Sequence, residues 1–373
     1  MRKLRTPILA VATAGESSDV LYATGYAVVD PVVFLQAFGK RFLVVPRLEI
    51  GRARKEAKKT IVYSAYDLEL PAAERKRLSG WAMGLLKKNG IRKVLVSPSF
   101  PLGVAERLRR FGIRTQISKS PLFPSRQVKS RDEIQKIAGV QKASAAAMRA
   151  AIKINAASEI QRDGFLRYEG RRLTSERIRQ GIDHVLLMHD CYARETIVAC
   201  GRAGANPHER GDGPLKAGCP IVIDIFPKHR RHGYWGDITR TVVRGRASAE
   251  LRRMYKAVLA AQEAALKILK PGVTAARVHD VVEKKIAERG YPTTRSGINA
   301  EGFTHSTGHG VGLDIHELPS ISQNDAVLRV GNVVTIEPGL YYHRVGGIRI
   351  EDTVAVTSGG WKYLGPCPKK FEV

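Results

Sequence analysis

The chain has 373 residues, of which 43% are hydrophobic and 26% are charged, and its 62 Lys and Arg against 35 Asp and Glu give a formal net charge of +27. This composition is typical of a globular protein, so we exclude a largely disordered chain, and the length allows two domains with separate cores. No stretch approaches ~18 uninterrupted apolar residues, so the sequence predicts no membrane-spanning helix.

The positive charge is densest in the first third of the chain. Residues 1–130 hold 25 Lys and Arg against 9 Asp and Glu, a net charge of +16. A basic surface of this kind attracts nucleic acid or an anionic membrane, but no helix-turn-helix, zinc-finger or aromatic RNA-binding pattern accompanies it. We therefore favour a solvated basic surface and expect neither nucleic acid nor a membrane as a partner.

Two features bear on the cellular compartment. The basic start through Arg5 and the apolar residues up to Ala14 imitate an export signal, but the apolar stretch is short for such a signal, which favours a first β-strand over Ile8–Ala12. The four cysteines form no C-x-x-C pair and are sparse for this length, so we expect reduced thiols in a cytoplasmic protein.

The first third alternates short apolar runs with helical stretches, which predicts an α/β domain. The predicted elements are, in chain order, strands over Ile8–Ala12, Val28–Phe34 and Phe42–Val45, a helix over Gly80–Lys88, a strand over Val94–Val96 and a helix over Val104–Phe111. The turn-rich segment Pro121–Arg126 follows and indicates a boundary between a domain of residues 1–125 and one of residues 126–373.

The second domain is predicted to combine long helices with a sheet. Ser130, followed three residues later by Glu133, forms a capping box that starts a helix running through Ala151. Stripes of apolar residues predict two more helices, over 249–270 and 274–289. Runs rich in Val and Ile predict the strands Pro220–Ile225, Val333–Tyr342 and Gly347–Val356. Helices packed on an antiparallel sheet are the simplest assembly of these parts.

Carboxylates stand inside three of these apolar strands, at Asp224, Glu337 and Glu351. An ionised carboxylate in an apolar strand costs several kcal/mol unless a cation or strong hydrogen-bond donors compensate it. A fourth carboxylate, Asp237, is 13 positions from Asp224, and this odd spacing lets two residues lie opposite each other across an antiparallel pair and face the same side. These carboxylates together predict a shared cation.

The segment from His305 to Glu317 adds three imidazoles, at His305, His309 and His316. Its glycines at 308, 310 and 312 argue against a helix, so we expect a loop or a strand close to a ligand. Each histidine taken alone is more often a hydrogen-bonded polar residue than a ligand. Carboxylate oxygens combined with one imidazole, however, fit a site for paired divalent metals such as Mn, Co or Zn.

Five motifs stand in order along the chain: Asp224, Gly236–Thr241, His305–Glu317, Ile336–Gly339 and Gly347–Asp352. Together they resemble the pita-bread metallopeptidases, the family that includes methionine aminopeptidase, aminopeptidase P, prolidase and the metal-free creatinase. The N-terminal third, with Leu21–Tyr26, resembles the creatinase-type domain of the Xaa-Pro branch, so prolidase or aminopeptidase P is the closer relative. The resemblance implies an α+β chain, with a C-terminal pita-bread fold preceded by an α/β creatinase-type N-terminal domain.

The resemblance also implies two divalent metal ions and a set of ligands. Asp224 would bind one ion, His309 and Glu337 would bind the other, and Asp237 and Glu351 would bridge the two. Two such ions would acidify a bound water for attack on the carbonyl of an Xaa-Pro bond, in a dipeptide or at the N-terminus of a peptide. Glu337 would carry the proton from this water to the leaving nitrogen.

Four more residues correspond to functional positions of the family. His208, His305 and His316 match histidines that hold substrate and stabilise the tetrahedral intermediate. Arg349 matches an arginine that orients the carboxylates. Simple polar packing is the alternative for all four. Because members of this family often dimerise, the resemblance also implies a homodimer that takes a proline-containing peptide as its substrate.

The chain departs from the family between its two aspartates. Twelve residues separate Asp224 from Asp237, two more than is common, which keeps the strand parity and lengthens the hairpin Lys228–Trp235. Because this hairpin is basic and aromatic, we expect a shift in substrate preference, and we leave the roles of His229 and His232 open.

Two other functions stay open. The first is a non-catalytic relative that binds nucleic acid or protein, which suits the net charge of +27 but not the complete set of ligand positions. The second is a hydrolase or lyase of a small non-peptide substrate, because one fold supports several chemistries.

Overall fold

The computed structural model describes residues 6–13, 17–119, 121–294 and 300–373. It divides into two compact units, Met1–Arg126 and Gln127–Val373, so the boundary falls one residue after the end of the predicted first domain. Among the described residues, no helix is long and apolar enough to span a membrane. Residues 1–5 and 14, which belong to the alternative interpretation as an export signal, lie outside the described residues.

The first unit contains a mixed six-stranded sheet. Its strands are β1 (Ile8–Ala12), β2 (Val32–Ala37), β3 (Lys40–Val44), β4 (Ile61–Tyr63), β5 (Lys93–Val96) and β6 (Arg114–Ile117). They lie in the order β4-β3-β2-β1-β5-β6, with β1, β2 and β3 antiparallel and the outer strands parallel to their neighbours. The strand predicted over Ile8–Ala12 is confirmed. The one predicted from Val28 begins at Val32, because Pro31 has no N–H to donate to a strand ladder.

Helices cover this sheet, as the α/β pattern predicts. They are α1 (Ser18–Thr24), α2 (Ile50–Glu56), α3 (Ala72–Arg75), α4 (Leu78–Lys88) and α5 (Leu102–Arg110). The buried side chains of Val33 and Leu35 in β2 share one core with Leu85 of α4. Phe38 and Gly39 join β2 to β3 with φ angles of 52° and 74°, as a two-residue hairpin turn of type I′ requires.

The second unit begins with a long helix. The helices of this unit are α6 (Arg131–Ala157), α7 (Ser175–Leu187), α8 (Ala249–Ile268) and α9 (Ala275–Glu288). The predicted capping box of α6 is confirmed, because Ser130 Oγ accepts the Glu133 N–H at 3.3 Å and Glu133 Oε2 accepts the Ser130 N–H at 2.8 Å. The helices predicted over 249–270 and 274–289 are confirmed as α8 and α9, each slightly shorter than predicted.

The strands of the second unit all pair antiparallel. They are β7 (Glu159–Ile160), β8 (Leu166–Tyr168), β9 (Arg171–Arg172), β10 (Cys191–Tyr192), β11 (Ile197–Cys200), β12 (Ile221–Ile225), β13 (Lys228–His229), β14 (Ile238–Val242), β15 (Gly308–Gly310), β16 (Glu317–Ile321), β17 (Val333–Ile336), β18 (Gly339–Tyr342), β19 (Gly346–Arg349), β20 (Asp352–Thr357) and β21 (Gly360–Tyr363). Two of the sheets have the orders β11-β12-β14 and β16-β15-β17-β20-β21, and β18 pairs with β19.

The sheets β11-β12-β14 and β16-β15-β17-β20-β21 are each covered by a pair of helices. Met148 of α6 and Ile182 of α7 pack into one core with Ile223 of β12. Val258 of α8 packs into a second core with Val334 of β17. Burying an apolar side chain of this size stabilises the fold by about 1.5–3 kcal/mol. The expectation of helices packed on an antiparallel sheet is therefore confirmed, with two helix-covered sheets in place of one.

Two predicted strands are each divided where a glutamate stands. Val333–Tyr342 forms β17 and β18, separated at Glu337 and Pro338, which we call the first break. Gly347–Val356 forms β19 and β20, separated at Ile350 and Glu351, which we call the second break. The prediction of unbroken strands is wrong because the apolar pattern continues through both points while the backbone pairing changes from one sheet to another.

New backbone partners hold the chain at these breaks. The N–H of Glu337 donates to the carbonyl of Thr307 at 2.8 Å, and the N–H of Glu351 donates to the carbonyl of Thr239 at 3.1 Å. Each break therefore leaves its own ladder and turns a glutamate toward other elements of the second unit.

Candidate metal centre

Asp224 lies in β12, the central strand of the three-stranded sheet. Its partners across the sheet are Ile197 of β11 and Thr239 of β14, so the apolar run that predicts a buried strand also carries the carboxylate inside. The expectation that Asp224 lies opposite Asp237 is wrong, because Asp237 precedes the first residue of β14. Residues two apart in a strand face the same side, so Asp237 points to the same side as Thr239. The carboxylates of Asp224 and Asp237 therefore still lie on one face of the sheet.

Asp237 is held by its backbone. Gln141 of α6 accepts the Asp237 N–H on Oε1 and donates Nε2–H to the Asp237 carbonyl, both at 2.7 Å. Thr353 of β20 donates its hydroxyl to the same carbonyl at 2.8 Å. These bonds satisfy the peptide groups on either side of a buried carboxylate and leave its oxygens for other ligands.

His309 is the middle residue of β15. A Cβ at Gly308 would lie 2.0 Å from the carbonyl oxygen of Thr335, so the strand comes too close to its neighbour for any side chain there. The sequence expectation of a strand or loop at this glycine-rich segment is confirmed. The Nδ1 atom of His309 lies 3.1 Å from the carbonyl of Gly310, and donation of Nδ1–H to that carbonyl leaves Nε2 as the free ligand nitrogen.

The two glutamates approach His309 and the three-stranded sheet. Glu337 Oε1 lies 3.2 Å from His309 Nε2 and accepts the Thr335 hydroxyl at 3.1 Å. Glu351 Oε2 accepts the Thr239 hydroxyl at 2.7 Å. The two strand breaks thus deliver their carboxylates to one region from different sheets.

The donor set fits a divalent metal centre. Among the described residues, Asp237, His309 and Glu351 each offer a ligand atom, and these atoms lie within 4.8 Å of one another. Asp224 Oδ1 and Glu351 Oε1 are buried without a hydrogen-bond partner. A buried carboxylate oxygen without a partner is costly, and oxygen with imidazole nitrogen is a ligand combination that Mn, Co and Zn accept.

The crowded carboxylates raise one another's pKa. Burial, together with the charges of Glu351 and Asp224, raises the pKa of Asp237 well above its usual range. Burial and the charges of Glu337 and Asp224 do the same for the pKa of Glu351. Burial also raises the pKa of Asp224, although Arg349 opposes it. Four carboxylates this close need added positive charge to ionise together, and divalent cations supply it.

Glu337 and His309 shift each other's pKa in opposite directions. Burial disfavours both charged forms, but the mutual hydrogen bond and opposite charges outweigh it, so the pKa of Glu337 lies below its usual range and the pKa of His309 is raised to about 9. Because the two groups titrate together, the shifts belong to the pair.

Arg349 joins Asp224 to three other groups. Its Nη2 donates to Asp224 Oδ2 at 2.6 Å, its Nε to the Thr239 hydroxyl at 3.2 Å, and its Nη1 to the Tyr341 hydroxyl at 2.9 Å. A longer bond of 3.3 Å runs from Nη1 to the carbonyl of Pro207. The guanidinium therefore occupies one oxygen of Asp224 and leaves Oδ1 for a ligand.

Tyr341 connects this arginine to His305. The Tyr341 hydroxyl lies 2.9 Å from His305 Nε2, and His305 Nδ1 lies 2.7 Å from the carbonyl of Ser306. When Nδ1–H donates to the Ser306 carbonyl, a neutral His305 accepts the Tyr341 hydroxyl proton on Nε2, while the hydroxyl oxygen accepts from Arg349. Burial lowers the pKa of His305 and raises the pKa of Tyr341 to about 12, in agreement with this arrangement.

The remaining two predicted histidines lie beside this group. The His316 ring meets the His309 ring edge to face, with 4.3 Å between centroids. His208 is exposed, and its charge contributes to the lowered pKa values of His305 and His316. The structure therefore brings all the predicted site residues into one region of the second unit, with His208 at its exposed margin.

Sequence reasoning missed several residues that hold this region together. Thr239 lies inside the motif Gly236–Thr241, and Tyr341 follows two residues after the motif Ile336–Gly339. A hydroxyl within an apolar strand beside a metal motif is a signal that could have found both. Gln141 has no such signal, because it is one polar residue in a long helix and its contact lies 96 residues away.

The longer hairpin contacts the region through its base. Trp235 donates its backbone N–H to the Gly312 carbonyl at 2.9 Å and its indole N–H to the Leu313 carbonyl at 3.0 Å. At the other end, the rings of His229 and His232 stack with 3.7 Å between centroids. The segment at His229 pairs with β10, and the hydrogen bonds of Trp235 connect the base of the hairpin to the loop that precedes His316.

The sequence profile of metallopeptidase family M24 matches residues 135–358, which contain every predicted ligand. The chain belongs to this family of metal-dependent peptidases. An Xaa-Pro dipeptidase of Pyrococcus horikoshii is 32% identical over 355 residues, covering 94% of this chain and 90% of the relative.

Two solved structures are similar over almost the whole chain. A prolidase from Pyrococcus horikoshii OT3 has a TM-score of 0.80 at 30% identity, covering 98% of this chain and 94% of that chain. An X-Pro aminopeptidase from Thermotoga maritima MSB8 has a TM-score of 0.81 at 27% identity, covering 99% and 97%. The expected fold, a pita-bread C-terminal domain preceded by a creatinase-type N-terminal domain, is confirmed.

Proposed function

We propose that this protein is a dinuclear metal-dependent peptidase that hydrolyses the bond before proline, in dipeptides or at the N-termini of peptides. The observation that carries the proposal is the buried cluster of Asp237, His309 and Glu351, with unpartnered carboxylate oxygens beside it. The choice of bond is supported by similar proteins named Xaa-Pro dipeptidase and X-Pro aminopeptidase. Residues 1–125 would be the creatinase-like domain and residues 126–373 the catalytic domain.

In the proposed ligand set, each ion has ligands of its own and the two ions share two further residues. Asp224 would bind one ion, His309 and Glu337 the other, and Asp237 and Glu351 would lie between them. Two divalent ions, Mn, Co or Zn, would balance the charge of the four carboxylates. When bound, such ions polarise the scissile carbonyl and lower the pKa of water.

The side chains of the protein would position and protonate the reacting groups. Glu337 would accept the proton of the attacking water and deliver it to the leaving nitrogen. Burial lowers the pKa of His305, which favours its neutral form, so it would hold substrate without adding charge. His208 and His316 would donate hydrogen bonds to the oxygen that becomes negative in the tetrahedral intermediate. Arg349 would keep Asp224 ionised and oriented.

The experiment combines substrates with metal loading. Purified protein is stripped of metal, reloaded with Mn²⁺, Co²⁺ or Zn²⁺, and given Xaa-Pro dipeptides, Xaa-Pro-Yaa peptides and matched Xaa-Ala peptides. We expect proline release from dipeptides, or loss of the first residue from the longer peptides, and little cleavage of the Ala series. The proposal would be refuted if no metal-loaded preparation cleaved any of the proline peptides. Asp237→Ala should lose both metal binding and turnover.

We also propose that the hairpin shifts substrate preference. Lys228 lies over the Trp235 ring at 5.5 Å, and Trp235 contacts the loop before His316. A cationic side chain there favours peptides with an acidic or free carboxylate group. Lys228→Met should raise KM for such peptides more than for amidated ones, and equal changes for the two series would contradict this assignment.

A homodimer in the cytoplasm is a further proposal. Its support is the resemblance to a family whose members often dimerise, and the four unpaired cysteines, which suit a reducing compartment. Light scattering after size exclusion tests the first part, since a single species of the monomer mass of 41.1 kDa would contradict a dimer.

A further inference from the structure

One buried side chain contacts both strand breaks. Gln262 lies in α8 and is 0% exposed. Its Nε2 atom is 2.9 Å from the carbonyl oxygen of Ile336 and 3.2 Å from the carbonyl oxygen of Ile350. These two carbonyls belong to the residues immediately before Glu337 and Glu351. A single amide group therefore donates to the peptide unit that leads into each glutamate.

The orientation of this amide is determined by its surroundings. A third acceptor, Asp352 Oδ2, lies 3.2 Å from the same Nε2 atom. Reversing the amide would place its oxygen against two carbonyls and a carboxylate, so the NH₂ group must face them. The opposite atom, Gln262 Oε1, is buried without a hydrogen-bond partner. An apolar residue at this position would avoid the cost of an unsatisfied oxygen. The hydrogen bonds that the Gln262 NH₂ group donates are therefore what this glutamine contributes.

A backbone hydrogen bond of 3.4 Å, from the N–H of Ile350 to the carbonyl of Pro338, also joins the two breaks. The side chain of Arg240 reaches the second break alone. Arg240 donates to the carbonyl of Glu351 at 2.5 Å and to Asp352 Oδ1 at 2.7 Å, both at the second break. The Ile336 carbonyl, which leads into the first break, accepts its hydrogen bond from Gln262 of α8, 74 residues away in sequence. Among the described residues, Gln262 is the side chain that the hydrogen bonds show joined to both.

We propose that Gln262 is a positioning residue that sets the separation of the Glu337 and Glu351 carboxylates by fastening the preceding carbonyls to one amide. This inference rests on the proposed function in one respect, namely that both glutamates are metal ligands. Removing a residue that orients a metal ligand typically lowers metal affinity by about 10–100-fold. We therefore expect metal affinity to depend on the spacing of the two glutamates.

The test compares two substitutions in the same helix. Gln262→Met keeps the length of the side chain and removes its donors. Val258→Ala is the matched control, because Val258 is equally buried in α8 and the change removes apolar contact without removing a hydrogen bond. Co²⁺ affinity is measured by calorimetric titration in the absence of substrate, and folding is checked by circular dichroism and thermal unfolding.

We expect both variants to fold with lowered thermal midpoints. The Co²⁺ affinity of Q262M should fall about 10–100-fold, with a shifted Co²⁺ absorption spectrum, while V258A should stay within twofold of the wild type. Unchanged affinity in folded Q262M, or an equal loss in V258A, would overturn the inference. If Q262M does not fold, Gln262→Asn serves instead, because it keeps a buried amide but withdraws it by one carbon, and wild-type affinity in Q262N would equally overturn the inference.

A crystal structure of the variant provides a readout that does not depend on metal or substrate. We expect the distance between the Glu337 and Glu351 carboxylates to change, and an unchanged distance would overturn the inference. A wild-type protein that binds Co²⁺ but cleaves no proline peptide would refute the proposed substrate while the affinity comparison still decides the role of Gln262.

Discussion

Replacing Arg349 with methionine removes the cation that the structure places against Asp224. The guanidinium is 5% exposed and lies 2.6 Å from Asp224 Oδ2, and it also donates to Thr239 and Tyr341. Methionine can fill the space of the stem but leaves a buried carboxylate without its donor. Removing one partner of a buried ion pair costs about 3–5 kcal/mol.

This magnitude is large enough to measure by heat or denaturant. In a domain of this size, a loss of 1 kcal/mol lowers the melting temperature by about 2–4 °C, so R349M should melt about 6–20 °C below the wild type. Part of this loss should return on addition of Mn²⁺, because a dication bound by Asp224 supplies the missing positive charge.

A surface arginine nearby in sequence provides the control. Arg344 is 84% exposed and lies 3.7 Å from Glu250, and an exposed pair contributes about 0–1 kcal/mol. Urea unfolding of R344M should therefore be close to that of the wild type. A loss below about 1 kcal/mol in R349M, or equal losses in the two variants, would refute the assignment of Arg349 as the buried partner of Asp224.

Three further changes test separate contacts. Gly308→Ala places a Cβ 2.0 Å from the Thr335 carbonyl oxygen, so urea unfolding should show a loss of at least about 1–3 kcal/mol, and wild-type stability would contradict the close approach. Ser130→Ala removes the cap of α6 and should cost about 1 kcal/mol by the same assay, whereas no change would mean that the cap is redundant. Hydrogen bonds from the backbone and side chain of Ser64 lower the pKa of Asp67. The ionised carboxylate therefore stabilises the fold at any pH above the ordinary Asp pKa. This contribution is lost as the pH falls through the lowered pKa. Asp67→Asn should thus be less stable than the wild type at neutral pH, with a gap that narrows in acid, and a gap of constant size would be evidence against this hydrogen-bond arrangement.

Local patterns in the sequence predicted the helices of the second unit well. Ser130 marks the start of α6, and the apolar stripe over 274–289 matches α9 closely. Caps and amphipathic stripes depend on neighbouring residues, so they can be read without knowledge of the fold. The same local information placed carboxylates in apolar strands and identified the residues that the structure brings together.

The sequence did not predict the long-range pairing of the strands. The partner of Asp224 across the sheet is Thr239 and not Asp237, because strand register depends on where the hairpin begins its pairing. The breaks at Glu337 and Glu351 lie inside continuous apolar runs, and hydropathy does not distinguish a strand from two strands in different sheets.

The sequence by itself determined which residue types this protein brings to its centre: four carboxylates, one metal-compatible imidazole and a surrounding group of histidines and arginine. Only the tertiary structure decided how they are held. The amides of Gln141 and Gln262 reach groups 96 and 74 residues away, and such contacts exist only after helices have packed on sheets. Burial then makes each of these hydrogen bonds matter, since water cannot replace a lost partner inside the core.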